Sequence, residues 1–177
     1  MADMRWVDRE NRGYTELIVT CKNRPLLLEK VCCSLAAEEI TIMSADVFTR
    51  TDGLVCDIFR VSTLDWEAIT NQTKRDRVLE TFTKLASLDD YNPGKYLKRK
   101  KNLLRKDQDE GGIPFPLRAY LSNELSDEYS AIQVQALDRI GLLHDLFLEI
   151  NKLGLATISA RICTEKGAAL NLSLIHI

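Results

Sequence analysis

Val19-Thr20-Cys21-Lys22-Asn23-Arg24-Pro25-Leu26-Leu27-Leu28 and, further along the chain, Val134-Gln135-Ala136-Leu137-Asp138-Arg139-Ile140-Gly141-Leu142-Leu143 share one design. In each, an apolar run is broken by a polar residue and an arginine, and a pair of leucines follows. The offset, 23 to 138, holds for the flanking residues: Tyr14 aligns with Tyr129, Leu35 with Ile150, Ser44-Ala45 with Ser159-Ala160, and Thr49 with Thr164. After one residue is dropped from a turn, Gly53 meets Gly167 and Asp57 meets Asn171. A register kept this long makes the chain a tandem repeat, and the repeat decides the fold.

Each copy opens with a short β-branched run, residues 17–21 or 132–136, suited to a buried strand. The arginine turn comes next, and then a helix. Pro25 fits the first helical turn, where its missing N–H costs nothing, and Leu28, Val31, Cys32 and Leu35 recur at helical spacing. Leu143, Leu146, Phe147 and Ile150 do the same in the second copy. The helices are expected to stop near Glu39 and near Gly154, a glycine placed to end one. Residues 41–49, Asp52-Gly53 and 54–62 read as a hairpin, because Asp-Gly favours the positive φ of a tight turn. The second copy offers 157–164, Lys166-Gly167 and 168 onward.

Only the first copy continues with a second helix, residues 73–86, presenting Val78, Phe82 and Leu85 on one face. Tyr91-Asn92-Pro93-Gly94 then reads as a turn, and residues 95–106 carry seven basic side chains, so 91–112 is expected to be a surface insertion. Residues 117–121 are expected to close the first copy as its last strand. The fold class that follows is α+β, built from ferredoxin-like βαββαβ units with an antiparallel sheet and helices on one face. The first unit is expected over 14–124. The second, over 129–177, lacks its second helix and last strand, and so the chain reads as a fragment of something longer.

The 177 residues suffice for one ordinary domain or two small ones. A net charge of −2 gives no polycationic field to hold nucleic acid. No run of 18 apolar residues spans a bilayer, and the first residues lack the apolar core of a secretory signal. The five cysteines show no C-x-x-C spacing, so reduced, mostly buried thiols in a cytoplasmic protein are expected, with no metal. Asn71-Gln72-Thr73 is then an idle glycosylation sequon.

Asp138-Arg139-Ile140-Gly141-Leu142-Leu143 after a strand resembles the signature turn of the ACT family, small regulatory modules that sense amino acids. Asn23-Arg24-Pro25-Leu26-Leu27-Leu28 resembles the same turn with leucine where the glycine usually stands. This pairing, with residues 44–53 and 56–61 supporting it, is similar to the tandem C-terminal ACT domains of bacterial bifunctional PII uridylyltransferase/uridylyl-removing enzymes. The resemblance implies that glutamine is the ligand, that the PII signalling protein is met through the parent enzyme, and that ACT units pair within or between chains. It also implies catalytic domains elsewhere that use Mg and UTP, with no cofactor in this chain and nitrogen status as the signal.

The ligand is expected at the turns, because a helix N-terminus presents unpaired N–H groups to a carboxylate. Asp138, Arg139, Ile140, Gly141, Leu142 and Leu143 form one candidate site, closed by Ser159 and Ala160; Asn23 and Arg24 with Ser44 and Ala45 form the other. Gly141 would let the ligand approach the backbone, and Asp138 or Asn23 would accept from its ammonium. Against this stands the simpler role of an aspartate as a helix cap and of the leucines as core. His144-Asp145 spells a hydrolase dipeptide, but one turn into a helix and with a single other histidine, His176, it is expected on a helix surface and not at a metal. Phe59 is the one aromatic on a central strand that could stack a base, which leaves an RNA-binding module as the weaker alternative. The other alternative is a sensor serving a different metabolic enzyme. The last six residues depart from the family pattern, with Ser173 opposite Phe59.

Overall fold

A computed structural model describes residues 3–87, 92–97, 116–124, 127–165 and 168–176. Eight strands form one antiparallel sheet: β1 (Asp3–Arg9), β2 (Tyr14–Lys22), β3 (Thr41–Phe48), β4 (Leu54–Ser62), β5 (Arg118–Ser122), β6 (Ser130–Leu137), β7 (Ala156–Glu165) and β8 (Ala168–His176). Their order across the sheet is β1-β2-β4-β3-β7-β8-β6-β5. The helices are α1 (Leu27–Ala37), α2 (Gln72–Ser87), α3 (Gly94–Leu97) and α4 (Leu142–Lys152), and α1 touches the other three. The architecture is α+β and ferredoxin-like, as the repeat implied.

Alternation sets the two faces of the sheet. Thr15, Leu17, Val19 and Cys21 on β2 and Val55, Asp57, Phe59 and Val61 on β4 are buried, while the residues between them are half-exposed. The buried set joins Val31, Cys32 and Leu35 of α1, Phe82 of α2 and Phe147 and Ile150 of α4 in one core that crosses from the first repeat to the second. Burying a side chain of this size contributes about 1.5–3 kcal/mol.

The order of strands along the chain differs from βαββαβ. The place beside β2 is filled by β1, whose register runs from Asp3 opposite Thr20 to Arg9 opposite Tyr14. Residues 117–121 do not close the first copy: β5 pairs with β6, from Arg118 opposite Gln135 to Ser122 opposite Ala131. Asp3 and Arg118 stand at the repeat offset, so each unit is ββαββ and supplies its fourth strand from its own front end. The physical reason is proximity, since a strand joined to its neighbour by a short turn closes a smaller loop than one returning from beyond a helix. The second copy therefore has its four strands, and the expectation of a missing last strand is corrected.

Asn71 is the cap of α2, its side chain accepting the Lys74 N–H at 3.1 Å. Residues 98–115, which hold most of the expected basic insertion, lie outside the described residues, as do Lys166 and Gly167. The described start of the insertion is not wholly surface: Leu97 on α3 is buried against Cys33, Ala36, Leu85 and Ile140. The five cysteines are free thiols, with Cys21, Cys32 and Cys33 buried. The tail forms β8, paired with β6 and β7, and Ser173 is buried in it.

Candidate functional site

The two arginine turns enter their helices in the same backbone conformation. Leu26 precedes α1 at φ 58°, ψ 24°, and Gly141 precedes α4 at φ 79°, ψ 4°. The left-handed region is open to glycine and strained for leucine. The helices also leave alike, through left-handed Glu39 (φ 54°) and Gly154 (φ 75°), with Ile40 N–H bonded to Leu35 O and Leu155 N–H to Ile150 O. In both places the second copy has glycine and the first does not.

Each turn faces the opposite repeat across a cavity, and the two cavities are lined by equivalent positions. The first, about 310 Å³, lies between residues 23–29 and Asn151, Ala156 and Thr157, with Val47, Thr49, Val55 and Asp57 behind it. The second lies between residues 138–144 and Ala36, Thr41 and Ile42, and holds only about 20 Å³, room for about one water molecule. Ile140 explains part of the difference. It is buried among Cys33, Ala36, Leu85 and Leu97, whereas its equivalent Pro25 is exposed. Ile42 in the second cavity also stands where the first has Thr157.

Electrostatics separates the turns further. Arg139 is held by Asp145 at 2.7 Å. The residue equivalent to Asp145 is Lys30, so Arg24 cannot form this bridge and stays exposed at the mouth of the first cavity. Two carboxyls line the same cavity. Asp57 is 1% exposed, and burial pushes it from an ordinary 3.8 up to about 7, although the Phe48 N–H at 3.1 Å partly offsets this. Burial also raises Glu29, which accepts a hydrogen bond from the Asn151 side chain across the repeat boundary.

Of the expected site residues, Asn23 and Arg24 line the larger cavity. Asp138, Arg139, Ile140, Gly141, Leu142 and Leu143 line the small one, and Asp138 is buried. Ser44, Ala45, Ser159 and Ala160 line neither: they lie on β3 and β7 where the repeats join, with Ala45 and Ala160 buried and Ser44 Oγ accepting from Arg60 at 3.1 Å. Glu29, Thr49, Asp57, Asn151 and Thr157 were missed. For Asp57 there was a signal, an acidic residue alternating with the apolar positions of a strand. His144 is not on a helix surface but buried between α4 and α1, its Nδ1 3.2 Å from Asp145. Among the described residues no cluster of three metal-ligating side chains occurs and no helix is long and apolar enough to cross a membrane. Phe59 faces the core and is fully buried, so it offers no base a stacking surface.

No family model matches the chain. It is 30% identical over 158 residues to the bifunctional uridylyltransferase/uridylyl-removing enzyme of Bradyrhizobium diazoefficiens and 30% identical over 163 residues to that of Rhodopseudomonas palustris. In both cases 88% of this chain is covered, and the chain spans 16% of the relative's length. Among solved structures, an aspartate kinase from Synechocystis matches 93% of this chain and 24% of its own, with a TM-score of 0.46 and 11% identity. Over most of its length, then, the chain is homologous to a short stretch of the bifunctional uridylyltransferase/uridylyl-removing enzymes.

Proposed function

We propose that this chain is the amino-acid-sensing regulatory segment of a uridylyltransferase/uridylyl-removing enzyme and that the first-turn cavity holds the amino acid, with glutamine as the signal. The observation that carries the reading is the cavity of about 310 Å³, which combines a helix N-terminus and Arg24 at its mouth with a buried carboxyl, Asp57, in its wall. Its size is at the low end for small-molecule sites, roughly 300–1,000 Å³. A zwitterion needs one anionic and one cationic contact, and both are available here.

On this reading the parent enzyme adds uridylyl groups to PII when glutamine is scarce and removes them when it is plentiful, in the cytoplasm. Binding must favour one state of the parent, because only differential affinity shifts an equilibrium. We place the first ACT unit from β1 through α2 and the second from β5 onward. The turn 138–143 is then chiefly structural.

Calorimetric titration of the chain with the twenty amino acids is the test, with Ala156→Trp as the variant that fills the cavity. Saturable binding of L-glutamine lost in Ala156→Trp is expected. Failure of all twenty to bind, or binding indifferent to Ala156→Trp and sensitive to Gly141→Val, overturns the assignment.

A further inference from the structure

Asp57 stands on the buried face of β4 between Val55 and Phe59, yet it lines the first cavity. Among the described residues, the one hydrogen bond to its carboxyl is the Phe48 N–H. Among the described residues no cation forms an ion pair with it. From β2 it is faced by Cys21 and from α1 by Cys32, and Glu29 lies further along the cavity wall. Arg24, exposed, is the positively charged residue among those lining the cavity, and His144 acts on Glu29 from α4. A carboxyl kept out of water beside an open space and without a counter-ion is a site awaiting one.

The repeat sharpens the point. β4 sets Asp57 opposite Val19, and β8 sets Asn171 opposite Val134, so the two residues are equivalent in register. The first copy thus carries a carboxyl at this position, on the cavity with room, where the second copy has an asparagine.

Resting on the proposed amino-acid reading, we infer that Asp57 is the ammonium anchor: the ligand enters amine first, and its carboxylate remains at the mouth with Arg24 and the start of α1. Specificity for a primary amine then resides in Asp57. The ligand's ammonium pairs with the ionised carboxyl, so below the raised pKa of Asp57 one proton leaves to solvent as the pair forms. Affinity rises about tenfold per pH unit below about pH 7 and flattens above it.

The experiment compares L-glutamine with 4-carbamoylbutanoate, the same molecule without its amine, on the unaltered chain, Asp57→Asn and Ala156→Trp, between pH 6 and 8. On the unaltered chain we expect L-glutamine to bind roughly tenfold more weakly at pH 6 than at pH 8. Proton release should appear as a dependence of binding heat on the buffer, and 4-carbamoylbutanoate should not bind measurably. Asp57→Asn should weaken L-glutamine at least about tenfold, flatten the pH profile and remove the preference for the amine. In the unaltered chain, the carbon NMR titration of the Asp57 carboxyl should move to lower pH when L-glutamine saturates the site. L-glutamine binding that is lost in Ala156→Trp but indifferent to Asp57→Asn and to pH overturns the anchor and leaves the cavity reading standing. Binding that is absent or survives Ala156→Trp overturns both.

Discussion

Asp46 on β3 lies directly opposite Arg161 on β7, and the two are each other's equivalents in the repeat. Around them Ala45 faces Ile162 and Val47 faces Ala160, so every pair maps onto another when the copies are exchanged. The chain thus contains an approximate twofold axis at the middle of its eight-stranded sheet, with α1 and α4 in contact on either side of it. This symmetry lets the two cavities be compared residue by residue, and their differences become statements about individual side chains.

Leucine in the left-handed region costs roughly 1–2 kcal/mol that glycine does not. Leu26→Gly is therefore expected to raise stability by about 0.5–1 kcal/mol after the loss of its partly buried side chain, and Gly141→Ala to lower it by about 1 kcal/mol. Denaturant melts of the two variants check the pair of signs. A destabilised Leu26→Gly chain would mean that packing of Leu26 outweighs its backbone strain.

Glu39 supplies a second case at the other end of α1, where the equivalent residue is Gly154. Glu39→Gly is expected to stabilise by about 0.5–1 kcal/mol because the helix end keeps its bonds from Glu39 N–H to Ala36 O and from Ile40 N–H to Leu35 O. The same melts measure it, and an unchanged midpoint would sink the expectation.

The helices and hairpins were legible because their signals are local: apolar spacing, Gly154, Asp52-Gly53. Pro25 is not in the first helical turn expected for it but stands ahead of Leu26, the left-handed cap of α1. β1 was not legible, since Asp3–Arg9 is a charged edge strand with only Met4 and Trp6 packed against the core. The partner of β5 was not legible either, because strand pairing is non-local and residues 117–121 carry no mark of which edge they join. The site was half legible. Asn23 and Arg24 could be named from the turn, but nothing in the sequence showed that the Gly141 turn meets a cavity of only about 20 Å³. Whether a turn is open depends on what the other repeat places against it, as Leu85 and Leu97 do against Ile140.

The arginines should separate by role. Arg139→Ala breaks a half-buried pair with Asp145 and is expected to cost about 1 kcal/mol while leaving L-glutamine affinity unchanged. Arg24→Ala should leave the melt within about 0.5 kcal/mol and weaken L-glutamine about tenfold or more, through loss of a charged contact. The opposite pattern would assign the ligand to the second turn.

Among the described residues β5 has no strand beyond it, and its Tyr120 and Leu121 are 55% and 66% exposed. The equivalent of Leu121 is Trp6, which packs under Arg75 of α2 at 5.6 Å. Such an edge promotes self-pairing. Leu121→Lys is expected to reduce concentration-dependent association in sedimentation velocity without shifting the melt, and unchanged sedimentation would rule the edge out.

Asp57 also governs how stability depends on pH. Its folded-state pKa, about 7, lies above the ordinary 3.8, so between these values the folded chain holds a proton that the unfolded chain releases. Stability from this group is complete below about pH 4, falls as pH rises, and levels off above about pH 7, with a total loss on the order of 4 kcal/mol. Glu29, also raised by burial, adds a change of the same sign. Asparagine keeps an oxygen for the Phe48 N–H and carries no charge, so Asp57→Asn should melt higher than the unaltered chain at pH 8 and close to it at pH 4. Melts that differ equally at both pH values would remove ionisation of Asp57 as the cause. On the proposed reading, the same carboxyl that destabilises the chain at neutral pH is the one that an ammonium ligand neutralises. Saturating L-glutamine is therefore expected to raise the melting temperature more at pH 8 than at pH 6, and to lose that difference in Asp57→Asn.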